Sequence, residues 1–113
     1  MQGACLDRLG PPVLIPRDWL QDLGVDSAVL LAMLRELLHS ERVRGVSERV
    51  DSNGFVRLTV AEIQSRMPWW SVATVRRRLT KLVELGYLVA VESEDSDPRD
   101  RALWYALGGE AHE

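Results

Sequence analysis

Four basic side chains fall within six positions, Arg76-Arg77-Arg78-x-x-Lys81, and the hydroxyls of Ser71 and Thr74 stand just before them. Guanidinium and ammonium groups neutralise phosphate, and Arg adds a planar fork that bonds oxygens in pairs. Hydroxyls add short hydrogen bonds to phosphates or base edges. Those residue types suit the recognition of a nucleic-acid backbone. Nothing comparable points to bond-making chemistry. There is no nucleophile–base pair and no phosphate-binding glycine loop. Cys5 is the only cysteine, which excludes an internal disulfide and a cysteine-based zinc site, and His39 and His112 lie too far apart in sequence to suggest a metal. The expectation is a non-enzyme without metal or cofactor.

The basic run needs an element to present it, and its surroundings supply the signals. Thr59 and Glu62 form a Thr-x-x-Glu capping box that starts one helix. Met67-Pro68 ends it, since a residue before proline is pushed out of the helical region. Ser71 suits the N-cap of a second helix and Gly86 suits its left-handed terminus. At about 100° per residue, Val72, Val75, Leu79, Leu82 and Leu85 share the side that should be buried. Ala73, Thr74, Arg77, Thr80, Lys81 and Glu84 point outward, with Arg76 and Arg78 on the flanks. The outward face is small and polar near its start, so its backbone can come close to base edges.

Elsewhere the chain reads as follows. Pro16 to Leu20 open a short helix that closes at Gly24. Asp26 then caps a helix from Ser27 to Ser40 whose apolar residues cover more than half its circumference, as in a central helix or a dimer interface. Glu41 to Gly54 is a polar loop with a possible hairpin around Asp51-Ser52-Asn53-Gly54. Short strands are expected at Phe55 to Leu58, Tyr87 to Val91 and Ala102 to Leu107, the last two joined by the polar turn Glu92 to Asp100. Trp19 and Trp104 are expected in the core. One of Trp69 and Trp70 should pack inward, and the other is a candidate for a surface position. The domain plan is an irregular arm over 1–12, one domain over 13–107 and a frayed tail over 108–113.

At 113 residues and 46% hydrophobic content, one core is affordable. No apolar run reaches a membrane-spanning length, and the N-terminus lacks an apolar stretch of the signal-peptide kind. A cytoplasmic protein of bacterial, phage or plasmid origin is the default expectation. The net charge is −3, but charge is segregated. Phe55 to Lys81 holds six bases against one acid, and Leu82 to Asp100 holds six acids against one base. A local basic patch governs phosphate contact more than whole-chain charge does.

Helix, short turn, basic helix and two strands follow the order of a winged helix-turn-helix, in which the second helix enters the major groove. The run Pro68-Trp69-Trp70-Ser71-x-x-Thr74-Val75-Arg76-Arg77-x-Leu79-x-x-Leu82-x-x-x-Gly86-Tyr87-Leu88 resembles the winged-helix domains of phage and plasmid replication initiators and replisome organisers. Asp100 to Leu107 is similar to their return strand, and Pro16 to Leu31 to their opening helices. Bacterial regulators of the MarR and GntR type look alike over the Ser-x-x-Thr-Val-Arg-Arg core. The resemblance implies a mainly α fold with a small β wing, an α+β winged helix, and a DNA-contacting helix at Ser71 to Leu85. Its implied contact residues are Ser71, Ala73, Thr74, Arg76, Arg77, Arg78, Thr80 and Lys81, with Arg99 and Arg101 as possible wing contacts.

Two departures matter. Such replication proteins usually continue into a second domain, so the chain reads either as a fragment or as a small stand-alone protein. The turn SEDSDPRD is acidic and would be repelled by phosphate. The leading expectation is a module that binds double-stranded DNA, in replication initiation or transcription, as a homodimer. The alternative is a protein–protein module, such as a small phage inhibitor or assembly factor, meeting a basic partner through the acidic turn.

Overall fold

The computed structural model describes residues 12–45, 48–92 and 102–109. Among them are four helices and three strands: α1 (Arg17–Leu23), α2 (Val25–Arg44), β1 (Val56–Thr59), α3 (Val60–Ser65), α4 (Val72–Glu84), β2 (Leu88–Glu92) and β3 (Ala102–Leu107). The strands form one antiparallel sheet in the order β1-β3-β2. The class is α+β.

α1 closes at Gly24 as expected, and Gly24 also occupies the N-cap of α2. Asp26 is therefore inside α2, and its carboxylate bonds Arg78 instead of capping. α2 also runs past Ser40 to Arg44, where Gly45 ends it in the left-handed region. The polarity of Glu41, Arg42 and Arg44 suggested a loop. In fact Glu41 is buried, with Arg44 at 3.5 Å and Arg49 at 3.3 Å, so charge is paired inside a helical turn. The middle of α2 is covered by the chain itself, with Leu30, Leu31, Leu34 and Leu38 all buried, while Val25 and Val43 near its ends are exposed. The middle of α2 therefore packs at the centre of the core.

The turn after α2 is a hairpin. Asp51 Oδ1 accepts from the amides of Asn53 and Phe55, both at 2.9 Å, and Val50 bridges Val56. β1 starts one residue later than expected, as does β2, while β3 matches its expected bounds.

Strand phase decides which side chains reach the core. Tyr105 pairs with Val56 on one side and Ala90 on the other, and all three face the helices. Trp104, one residue earlier, pairs with Arg57 and Val91 on the opposite face. Its expected core position is wrong by one strand residue, and Tyr105 holds that place. Trp19 packs at the margin of the core, with the Arg35 guanidinium 5.0 Å from its ring centroid. Gly108, the first residue of the expected tail, is buried and donates its amide to the Tyr87 carbonyl at 2.9 Å, and residues 110–113 of that tail lie outside the described residues.

Candidate nucleic-acid interface

The candidate interface lies on two capped helices. At the start of α3 the Thr59 hydroxyl accepts from the Glu62 amide, and Glu62 Oε1 accepts from the Thr59 amide, each at 3.1 Å. The capping box is complete. The second Glu62 oxygen accepts from Arg49, which also approaches Glu41. One guanidinium thus ties the hairpin, the end of α2 and the start of α3 together. The Glu62 hydrogen bond, with the charges of both carboxylates, raises the Arg49 pKa against the opposing effect of burial. Burial alone would push Glu62 up, but Arg49 and the Thr59 bonds outweigh it and leave the carboxyl below its ordinary value.

α3 ends at Ser65, and Pro68 lies in the turn beyond it, as its helix-stopping chemistry requires. The turn is pinned by buried Met67, whose carbonyl accepts from the Trp70 amide at 3.1 Å. Gln64 Nε2 donates to the Trp70 carbonyl at 2.9 Å. The two rings of the turn meet edge-on, 5.8 Å apart, with Trp70 packed against the core and Trp69 58% exposed. Ser71 then caps α4, its hydroxyl accepting from the Thr74 amide at 3.1 Å and donating to Thr74 Oγ1 at 3.0 Å. At the other end, Gly86 has φ 84°. The Tyr87 amide reaches the Leu82 carbonyl and the Gly86 amide the Val83 carbonyl, which is a Schellman ending.

Val75, Leu79 and Leu82 are buried as the wheel predicts. Val72 and Leu85 are not, at 37% and 51% exposed. Val72 lies on the wall of an open cleft, and Leu85 is the C-cap, beyond the last turn that packs. On the outward side, Ala73, Arg76, Arg77, Thr80 and Lys81 are exposed and Thr74 is half-buried. The Thr80 hydroxyl is turned back onto the Arg76 carbonyl at 3.0 Å.

The basic residues divide into two groups. Arg78 bonds Asp26 at 3.0 Å and lies 5.4 Å from the centroid of the Trp70 ring. It joins α4 to the start of α2 and is partly buried, engaged with Asp26 and the Trp70 ring. Arg76, Arg77 and Lys81 have no ion-pair partner among the described residues. Arg66, the C-cap of α3, is likewise exposed and unpaired, on the helix that packs beside α4. It belongs to the same free set, and its place just before Met67-Pro68 at the end of α3 was the signal for it. Arg99, Arg101 and the acidic turn fall outside the described residues. Among the described residues, no His, Cys, Asp or Glu cluster could hold a metal ion, and no helix is long and apolar enough to cross a membrane.

Comparison with protein-family models, with curated proteins and with solved structures finds no match to this chain.

Proposed function

We propose that the chain is a winged-helix module that binds double-stranded DNA, with α4 in the major groove, acting in replication initiation or transcriptional control. One observation carries this reading. α4 buries its apolar side while Arg76, Arg77 and Lys81 stand on its wet side without intramolecular ion pairs among the described residues. Arg49 and Arg78 nearby are each matched to a carboxylate, which leaves Arg76, Arg77 and Lys81 as the open cations of α4. Ala73 near the N-terminus keeps the backbone open to base edges, and Ser71 and Thr74 offer hydroxyls there. Arg77 and Lys81 neutralise phosphate, Arg76 and Arg66 reach flanking phosphates, and Arg78 fixes the angle of α4 against α2.

A single module of this size covers one half-site, which favours two copies on DNA with α4 helices about 34 Å apart. The test is selection from a random duplex pool, followed by affinity measurement at two salt concentrations. An enriched motif and a steep loss of affinity with salt support the reading. The exposed Trp69 ring favours a second reading, a protein-contact module, and that reading gains if no sequence is enriched and binding is insensitive to salt.

A further inference from the structure

A cleft of about 640 Å³ opens between α4 and the sheet, reaching the start of α3. Its volume is in the range of small-molecule sites. The walls are largely apolar, built from Val60, Val72, Val83, Ala90 and Leu103. Val72 and Val83 are 37% and 38% exposed, so the cleft accounts for apolar surface that α4 does not bury.

Two polar groups give the cleft a chemical direction. Tyr105 lines it, is only 2% exposed, and its hydroxyl has no hydrogen-bond partner among the described residues. The hydroxyl is not fully enclosed, so it meets the cleft, where a ligand acceptor can take the place of water. Burial also pushes its pKa up to about 12, so the group stays a donor across the physiological range. Arg76 lines the same cleft and has no carboxylate partner among the described residues. Glu84 lines it too, eight residues further along α4 and so about 12 Å away at 1.5 Å per residue. The cation and the carboxylate therefore mark opposite ends, and a bound anion would lie towards Arg76.

We propose that this cleft binds a small aromatic carboxylate, with its ring against the valines of α4 and the sheet, its carboxylate at Arg76, and an oxygen accepting from the Tyr105 hydroxyl. The apolar walls select the ring, Arg76 selects the negative charge, and the Tyr105 hydroxyl selects an acceptor over a bare hydrocarbon. The site stands whether or not α4 contacts DNA, because its test needs no nucleic acid.

The test uses the full chain, isotopically labelled, titrated with 2-naphthoate and separately with neutral 2-naphthamide. The expected result is saturable change in the amide resonances of Val60, Val72, Ala90 and Leu103, with naphthoate binding about threefold tighter than the amide. Tyr105→Phe keeps the ring in the core and should weaken naphthoate binding by about two- to tenfold. Arg76→Gln, at an exposed position, should abolish the preference for naphthoate over naphthamide. Non-saturable shifts, shifts centred on Trp69 instead of the cleft, or Tyr105→Phe and Arg76→Gln chains that bind naphthoate like the parent would each overturn the proposal.

Discussion

Replacing Arg77 with alanine separates a groove-reading helix from a merely solvated one, because the size of the change can be worked out beforehand. Four exposed basic residues without ion-pair partners, Arg66, Arg76, Arg77 and Lys81, lie on α3 and α4. If each neutralises one phosphate, the slope of log affinity against log salt is about −3.6, at −0.9 per contact. Raising salt from about 50 to 200 mM then weakens binding by about 150-fold. Arg77→Ala removes one contact, so the slope falls to about −2.7 and the same salt change costs only about 40-fold. Arg78→Ala is the internal control, since Arg78 is engaged with Asp26 and Trp70. It should leave the slope unchanged and instead lower stability by about 0.5–1 kcal/mol, the range of a partly exposed ion pair with a ring contact. Fluorescence anisotropy with a labelled duplex at four salt concentrations reads the slopes, and thermal unfolding reads the stability. A parental slope in Arg77→Ala, or a reduced slope in Arg78→Ala, would show that the free and paired arginines have been assigned to the wrong roles.

Further outcomes follow from the core, the turns and the ion pairs. Leu82→Ala should cost about 2–5 kcal/mol in denaturant unfolding, since Leu82 is fully buried on the packed side of α4; a loss under about 1 kcal/mol would contradict that packing. Gly86→Ala should cost about 1–2 kcal/mol from its positive φ alone, as an added Cβ meets nothing within 4 Å. Gly108→Ala should cost more, because its Cβ would stand 2.0 Å from the Gly86 carbonyl oxygen; an equal or smaller loss would show that the backbone yields there. Glu62 has a folded pKa below its ordinary 4.5, so its stabilisation is complete above that value and is lost as pH falls through the lower one. Glu62→Gln should therefore be less stable than the parent at pH 7, and its stability should decline less between about pH 5 and 3. Parallel stability–pH curves for the two chains would remove that linkage.

The helical elements around the basic run were legible because their ends carry side-chain chemistry. Thr59, Glu62, Ser71 and Gly86 each satisfy or free specific backbone groups, and all four occupy the expected positions. The sequence misled where a local signal competed with a partner distant in the chain. Asp26 looks like an N-cap, but Arg78, 52 residues away, takes its carboxylate. Glu41 looks like a loop residue, but Arg44 and Arg49 let it lie buried in α2. Trp104 sits in a correctly bounded strand, and only the register with Arg57 and Val91 shows that it faces away from the helices.

The candidate site shows the same division in its energetics. A helical wheel assigns faces, and it correctly turned Arg77, Lys81 and Ala73 outward. It cannot tell a free cation from a paired one, because pairing depends on which element is brought alongside. Arg76 and Arg78 stand on opposite flanks of the same helix and look equivalent in sequence. Folding places Arg78 against Asp26 and Trp70 and leaves Arg76 on the wall of the cleft that Tyr105 also lines. The cleft was illegible for the same reason, since its walls come from α3, α4, β2 and β3 together. Surface guanidinium pairs contribute little to stability. The more consequential effect of the Arg78 contact is geometric, because it joins α4 to α2 through Asp26. If that contact sets the angle of α4, Asp26→Asn should weaken duplex binding modestly without altering the salt slope, since orientation would change while the number of phosphate contacts would not. An unchanged affinity in that variant would mean that the core alone, through Val75, Leu79 and Leu82, orients the helix.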